Sequence, residues 1–319
     1  MRKDTLNKAT SAAIKTVDAY HGHDYYGEAY AFQGFTENRY FTSDRYIQLD
    51  ENFNRKDGKP LKGYGLEIEV ECDSISNSDI LCEVFDKVIA SHFPAGLYKY
   101  QRDGSLEGES SLEAITQVMT KEFIRNHYPE FKIMFNSYFS ALGISASYSG
   151  NCGMHVNISN GNFGTTEATQ DEAVRKLYYI INKHYDFFVQ AFARNPRCTG
   201  YCSRMDYSKA KTMDLHNMSS SHGNCLNYSH YDVGRIEIRL VGGQSSFGCF
   251  RNTMETVFHL VDRVKKISWS DCDSLVKIFE GCNYHVLDRI STNCYQAGAI
   301  NLEEVEQIKA KANLIERYI

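Results

Sequence analysis

Three stretches of this chain alternate between apolar and polar residues with the period of a β-strand, and their polar positions are rich in charge. Residues 64–71 are Y-G-L-E-I-E-V-E, residues 153–158 are G-M-H-V-N-I, and residues 235–240 are R-I-E-I-R-L. Successive side chains of a strand point to opposite faces of its sheet. Each stretch therefore predicts a strand with one apolar face and one face of carboxylate, imidazole, amide or guanidinium groups.

These polar faces admit two interpretations. Antiparallel sheets often have one solvated face, on which polar residues are expected. Glutamate has a poor strand propensity, however, and the three faces contain little serine or threonine. Glu67, Glu69 and Glu71 would share one face at intervals of about 7 Å. Such a row of carboxylates is repulsive unless cations lie between them, so the pattern favours bound divalent metal.

The charge balance disfavours nucleic acid and anionic membranes as partners without excluding nucleic acid. The 319 residues include 35 Lys and Arg against 40 Asp and Glu, for a formal net charge of −5. No overall positive field attracts nucleic acid or an anionic membrane, although a net count says nothing of local basic patches. Residues 1–10 lack the apolar segment of a secretion signal, and no run approaches the roughly 20 apolar residues needed to span a bilayer. We therefore expect a cytoplasmic protein without membrane spans.

The ten cysteines do not indicate a disulfide framework or a zinc site. None of them forms a C-x-x-C pair, and the nearest two, Cys198 and Cys202, have no matching second pair. A chain with 42% hydrophobic residues can form a hydrophobic core without disulfide bonds. The cysteines are predicted to be reduced and mostly buried thiols.

The pattern along the chain predicts an N-terminal extension of unknown function at 1–60 and one catalytic domain at 61–319. The extension is weakly patterned, with a short helix at 5–19 followed by an irregular segment. The domain alternates strands at 64–71, 97–101, 112–119 and 153–158 and a strand pair at 225–241 with helices at 79–93, 121–142, 167–194, 249–266, 271–281 and 302–318. The helical region at 121–142 is predicted to be interrupted near Pro129. The polar face must stay open, so the helices should cover the apolar face. The expected class is α+β, an antiparallel sheet with one open polar face and helices on the other.

Motifs within this domain resemble those of a known enzyme family. They are G-L-E-I-E at 65–69, D-G-S-L at 103–106 with E-A-I-T at 113–116, C-G-M-H-V-N at 152–157, F-A-R at 192–194 and R-I-E-I-R at 235–239. In this order they resemble the phage-type amidoligase family of glutamine synthetase-like carboxylate–amine ligases, over roughly residues 63–266.

The resemblance implies a glutamine synthetase-like catalytic fold with a concave sheet and an ATP-dependent activity. Strand glutamates would hold Mg²⁺ or Mn²⁺, hard cations that suit oxygen ligands. The γ-phosphate of ATP would pass to a substrate carboxylate, and an amine would attack the acyl phosphate to form an amide. The substrates would be small-molecule or peptide carboxylates and amines, in the host cytoplasm if the protein is phage-encoded. Their identity and the oligomeric state stay open.

The resemblance also implies roles for individual residues. Arg239 would offset phosphate charge, because a guanidinium fork matches phosphate oxygens. Arg235 would do the same or pair with Glu237, His155 would contact phosphate or metal, and Glu71 would lie at the rim. The expected metal ligands are Glu67, Glu69, Glu113, Glu237 and His155.

The expected nucleotide contacts come from the polar loop at 195–224 and from the strands. In or beside the loop they are Arg194, Arg204 and Lys211, and on the strands they are Asn157 and Arg239. A solvated basic loop is the alternative for the loop residues. Asn157 stands where the family pattern has a second histidine, and an amide binds phosphate better than metal. Asp103 is either a turn cap or a ligand.

Two other functions fit the same residues. A metal-dependent hydrolase would use the carboxylates and His155 to activate water. A non-catalytic phage or virion-associated binding protein would keep the fold without metal-dependent nucleotide binding. The requirement for ATP separates the ligase from both.

Overall fold

The computed structural model describes residues 38–52, 54–72, 81–82, 84–101, 106, 111–145, 152–216 and 223–312. The helix predicted at 5–19 and the turn at Asp103 lie outside these residues. The described chain divides into two compact units whose segments alternate along the sequence. Unit 1 consists of the described residues up to Lys56, Tyr64–His155 and Gly243–Phe247; unit 2 consists of Asp57–Gly63, Val156–Gly242 and the described residues from Gly248 onward. The predicted boundary between residues 60 and 61 stays a prediction.

Unit 1 is built on short strands around one long strand. The strands are β1 (Arg39–Phe41), β2 (Tyr46–Gln48), β3 (Tyr64–Cys72), β4 (Tyr98–Gln101), β5 (Ser111–Thr116), β6 (Val118–Met119) and β7 (Ile144–Ser145). Strand β3 pairs antiparallel with β5, β6 and β7, and β4 pairs antiparallel with β5. Strands β1 and β2 are antiparallel, whereas β1 and β6 are parallel. The predicted mixed fold with a mostly antiparallel sheet is therefore confirmed.

The helical segments of unit 1 are short and broken. They are a π-helix (Phe85–Ile89), a 3₁₀ turn (Ala90–His92), α1 (Lys121–Asn126), α2 (Tyr128–Ile133), a second π-helix (Met134–Tyr138) and α3 (Phe139–Leu142). The break between α1 and α2 falls at His127, two residues before Pro129, as the sequence predicts. Thr120 caps α1, because its hydroxyl accepts the Phe123 amide at 3.0 Å.

Unit 2 contains the longer helices and three strands. Strand β8 (Met154–Ser159) starts with two residues of unit 1, and β9 (Leu226–Asn227) and β10 (Arg235–Ile238) follow. The α-helices are α4 (Glu167–Lys183), α5 (Tyr185–Ala191), α6 (Phe247–Val264), α7 (Leu275–Ile278), α8 (Tyr284–Gln296) and α9 (Leu302–Ala310). Short 3₁₀ turns cover Asn160–Asn162, Pro196–Tyr201, Ala210–Thr212 and Trp269–Asp273.

Two regions differ from the prediction. Strands β1 and β2 lie within the extension, which was predicted to be irregular after its first helix. Helix α8 was not predicted, although Val286, Leu287, Ile290 and Cys294 form its buried stripe. A helix as short as α8 is marginally stable by itself, because most of its stability comes from packing its apolar stripe against neighbouring elements.

The cysteines and the helices bear on two further expectations. Of the cysteine side chains that are described, all but Cys249 are buried, and none is in a disulfide. Burial of these thiols agrees with the predicted use of cysteine as a core residue. Among the described helices, none has the length and apolar character needed to cross a membrane.

Candidate functional site

Strand β3 separates its side chains as its alternation predicts. Leu66, Ile68 and Val70 are fully buried on one face. Glu67, Glu69 and Glu71 occupy the other face, where Glu69 and Glu71 are also buried. This polar face is thus not an open, solvated surface at these positions. Burial of carboxylates in this way is costly unless they have partners.

Strand β5 adds a fourth carboxylate to the same face. Glu113 is directly opposite Glu69 in the antiparallel register and is 6% exposed. Opposite residues of such a pair have their Cβ atoms about 4.5–5.5 Å apart and point to one face. The two buried carboxylates therefore repel each other unless a cation lies near them.

The imidazole of His155 lies among these carboxylates. Its Nδ1 is 3.0 Å from Glu67 Oε2, and its Nε2 is 3.4 Å from Glu69 Oε1. Atoms of Glu67, Glu113 and His155 that could bind a metal all lie within 4.8 Å of one another. Among the described residues, these three side chains are the group of His, Cys, Asp or Glu ligands that lie close enough together to hold a metal ion.

Glu69 is held by backbone as well as by His155. Its Oε2 accepts a short hydrogen bond from the Gly153 amide, and its own amide donates to the Gly153 carbonyl at 3.1 Å. The sequence predicts Glu69 as a metal ligand, but the structure places it beside the three-residue group rather than in it. Its contacts orient the imidazole, as residues behind metal ligands commonly do.

Glu71 does not lie at the rim of the site, where it was expected. It is only 6% exposed, and its buried Oε1 accepts no hydrogen bond from the residues that the structure describes. The Cys152 thiol lies nearby, and burial together with the charges of Glu71 and Glu69 raises its pKa. Cys152 is therefore held as a protonated thiol and not as a nucleophilic thiolate.

In unit 2, Glu237 is held by two side chains. Asn227 Nδ2 donates to Glu237 Oε2 at 2.9 Å, and Arg239 donates to Glu237 Oε1 at 2.6 Å. Asn157 on β8 and Asn227 on β9 are the directly opposite neighbours of Glu237. Both of its oxygens therefore accept hydrogen bonds from the protein. Asn227 belongs to none of the sequence motifs, although it lies in the strand pair predicted at 225–241.

Two arginines, one at the start of β10 and one directly after its end, differ from expectation. Arg239 rather than Arg235 pairs with Glu237, while Arg235 is exposed at the first position of the strand. Both are two residues from Glu237, so the sequence alone gives no preference. Burial decides, because the Arg239 side chain is only 16% exposed and an ion pair is stronger away from water.

Arg194 is buried by a tight turn after α5. Ala193 has a φ of 52°, a left-handed conformation that is unusual for a residue with a Cβ. A Cβ at Gly242 would collide with the Ala193 carbonyl, so only glycine fits there. Arg194 is 4% exposed and donates to the Val241 carbonyl at 3.4 Å.

The thiol of Cys202 lies near two arginines of unit 2, the buried Arg194 and the partly buried Arg239. Burial raises its pKa, and the positive charges of Arg194 and Arg239 act against that rise. Both guanidinium groups therefore lie close enough to Cys202 for their charges to be felt. The predicted pair of phosphate-binding arginines thus has a common location in this unit.

The remaining predicted nucleotide contacts are on the surface. Arg204 is exposed, with its guanidinium carbon 5.3 Å from the centre of the Tyr207 ring. Lys211 is also exposed, with its Nζ 5.6 Å from the centre of the Trp269 ring. The structure gives both residues aromatic neighbours and does not bring either beside Glu237. A comparison of the chain with protein-family models and with curated proteins finds no match.

Proposed function

We propose that this protein is an ATP-dependent carboxylate–amine ligase with a divalent metal bound by Glu67, Glu113 and His155. The observation that carries the proposal is the convergence of these three side chains within 4.8 Å. Their motifs occur in the order that resembles the amidoligase family. The glutamine synthetase-like fold, the cytoplasmic location and the role of ATP are part of this proposal.

The donor set fits a divalent metal and favours one candidate. Two carboxylates and one imidazole neutralise the ion and leave several coordination positions for water or substrate. Carboxylates suit Mg²⁺ and Mn²⁺, whereas an imidazole nitrogen is a better ligand for Mn²⁺ than for Mg²⁺. We therefore expect Mn²⁺ to bind more tightly in the absence of nucleotide. When bound, the metal would neutralise phosphate charge.

The residues of unit 1 would prepare the metal site. Gly153 and His155 hold the two oxygens of Glu69. In the metal-bound state, His155 would turn one ring nitrogen to the ion and keep a carboxylate on the other, which fixes the orientation of the ring. This arrangement requires neutral His155, so metal binding should release protons at low pH.

The residues of unit 2 would bind phosphate. Arg239 has a guanidinium fork suited to phosphate oxygens, and Glu237 with Asn227 keeps that fork oriented. Arg194 is a second arginine of unit 2, and it is buried. Transfer of the γ-phosphate to a carboxylate depends on such positioning and charge neutralisation more than on covalent help. The amine would then displace phosphate from the acyl phosphate.

A metal-dependent hydrolase is the second candidate. It is supported by the same three-ligand group, because a site with open positions can activate water without ATP. In that case the arginines of unit 2 would serve the fold or a different anion.

The test uses melting temperature and ADP release together. A ligand that binds only the folded state stabilises it by mass action. For the ligase we expect Mn²⁺ with ATP to raise the melting temperature more than Mn²⁺ alone, and ATP with EDTA to leave it unchanged. ADP release from pooled carboxylates and amines should need both pools.

The variants decide among the candidates. Glu67→Gln should lose the metal-dependent shift and ADP release, whereas Glu122→Gln, an exposed glutamate in the first turn of α1, should keep both. If Mn²⁺ raised the melting temperature and ATP raised it no further, the hydrolase would be favoured. If ATP raised the melting temperature equally in Mn²⁺ and in EDTA, the metal site would be refuted.

A further inference from the structure

Residues 195–212 of unit 2 form a basic segment with a local excess of positive charge. The segment contains four basic residues against one acidic residue, Asp206, for a formal charge of +3 in a chain whose net charge is −5. All four basic side chains are exposed, and among the described residues none of them forms an ion pair with a carboxylate. They are Arg197, Arg204, Lys209 and Lys211. This local excess of cations favours an anionic partner.

Aromatic rings lie next to these cations, and all of them belong to unit 2. Tyr201, within the basic segment, is 56% exposed. Tyr207, Trp269 and Tyr179 of α4 are partly exposed. The Tyr179 ring lies edge to face between the other two, with its centre 5.4 Å from that of Tyr207 and 6.0 Å from that of Trp269. The Tyr179 hydroxyl donates to Asp273 at 2.5 Å, so the protein itself fixes the middle ring.

Arg204 and Lys211 each lie beside one of these rings. Arg204 Cζ is 5.3 Å from the centre of the Tyr207 ring, and Lys211 Nζ is 5.6 Å from the centre of the Trp269 ring. Both distances are near the outer limit of about 6 Å for a cation–π contact, so these contacts are weak. Two rings of this surface therefore each have an exposed cation beside them that no described carboxylate neutralises.

Carboxylates in this part of unit 2 have partners of their own. Asp273 accepts from the Tyr179 hydroxyl and lies 3.4 Å from Lys183 Nζ. Asp206 accepts from the Ser208 amide at 2.8 Å and from the Ser208 hydroxyl at 3.0 Å. The positive charge of the basic segment is thus directed to solvent and not to these two groups.

Single-stranded nucleic acid carries both of the groups that this surface can bind. Its phosphates are anions for guanidinium and ammonium groups, and its bases are planar rings that stack on tyrosine and tryptophan. A duplex keeps its bases stacked inside the helix, so it offers the rings no such partner. An acidic peptide matches the cations but not the rings.

We propose that the basic segment and Trp269 form a surface that binds single-stranded nucleic acid, with bases stacked on Tyr207 and Trp269 and phosphates bound by Arg204 and Lys211. The surface contains none of the residues assigned to metal or phosphate in the proposed ligase. The inference therefore does not depend on that function.

The test uses the fluorescence of Trp269, which is the single tryptophan of the chain. An oligothymidylate of about 12 nucleotides should quench this fluorescence, and a labelled copy should gain anisotropy on binding. With roughly two to four phosphate contacts, log affinity should fall with log salt at a slope of about −1.4 to −2.8. Affinity should therefore drop about 7- to 50-fold between about 50 and 200 mM NaCl.

Variants separate charge from stacking. The double variant Arg204→Ala with Lys211→Ala should weaken binding and reduce the steepness of the salt slope by about 1.4. Tyr207→Ala should weaken binding about ten-fold or more with little change in that slope. The control, Lys56→Ala with Lys132→Ala, removes two exposed lysines of unit 1 and should leave binding unchanged. Circular dichroism establishes that each variant is folded.

Several results would overturn the inference. The first is the absence of binding at about 50 mM salt, where phosphate contacts are strong. Equally tight binding of a duplex of the same length, or of an oligoglutamate of the same charge, would show that the surface recognises charge alone. ATP that binds as tightly as the oligothymidylate would show a site for a mononucleotide instead. An equal loss of affinity in the control variant, or none in Tyr207→Ala, would show that the named residues do not form the surface.

Discussion

Replacing Glu113 with glutamine should make the metal-free protein more stable and the metal-loaded protein less stable. Glu113 and Glu69 are buried and directly opposite each other on β5 and β3. Two unit charges about 6 Å apart repel by about 3 kcal/mol at an effective dielectric constant of about 20. The imidazole of His155, 3.4 Å from Glu69 Oε1, offsets part of this repulsion. We therefore expect Glu113→Gln to gain about 1–2 kcal/mol without metal.

The gain should reverse when metal is added. Removal of one of the three ligands should lower Mn²⁺ affinity by more than the roughly 10–100-fold that is typical for loss of a residue behind the ligands. At about 100 times the wild-type dissociation constant, Mn²⁺ adds about 2.7 kcal/mol to the wild type. The variant should gain only a small part of this, so the order of stability of the two proteins should invert.

Urea unfolding in EDTA and in Mn²⁺ measures both effects on the same pair of proteins. A gain of 1–2 kcal/mol corresponds to a rise in melting temperature of about 2–6 °C, so thermal melts provide an independent check. Glu122→Gln serves as the control because its glutamate is exposed. A Glu113→Gln variant that is destabilised in EDTA would show a structural glutamate. A variant with an undiminished Mn²⁺ response would show that the group of three does not bind the ion.

Two further predictions concern unit 2. Arg239→Lys should lower ADP release about ten-fold with little change in nucleotide affinity, because lysine keeps the charge but loses the fork, whereas the exposed Arg235→Lys should stay near wild type; a larger effect at Arg235 would contradict the assigned roles. His216 contacts Asp232, Glu167 and Asp171, and its hydrogen bond to Asp232 raises its pKa above 6.5. Stability from this raised pKa is present below pH 6.5 and is lost as the pH rises through the folded-state pKa, so His216→Gln should lower the melting temperature more at pH 5.5 than at pH 9. An equal effect at both pH values would show that the histidine acts by packing alone.

The sequence by itself determined strands β3, β8 and β10 and the faces on which their polar residues lie. Alternation is a local property, so Y-G-L-E-I-E-V-E sufficed to put Leu66, Ile68 and Val70 in the core and three glutamates on the opposite face. The same pattern predicted β8 and β10, and Pro129 predicted the break between α1 and α2.

Only the tertiary structure decided which polar groups meet. His155 and Glu67 are 88 residues apart in the sequence, and Gly153 and Glu69 are 84 apart. Strand register brings Glu113 opposite Glu69, and a shift of one residue would turn Glu113 to the other face. No local pattern contains this register, because it is set by hydrogen bonds between distant segments.

The arginines show the same division. The alternation of residues 235–240 predicts Arg235 and Arg239 on one face with Glu237, and this much follows from the sequence. The pairing of β10 with β8 and β9 decides the partial burial of Arg239 beside Glu237, the exposure of Arg235, and the contact of Asn227 with Glu237. Arg235 and Arg239 occupy equivalent positions in the alternation, but packing excludes more water from Arg239 than from Arg235. An ion pair is stronger away from water, so the tertiary structure decides which arginine pairs with Glu237.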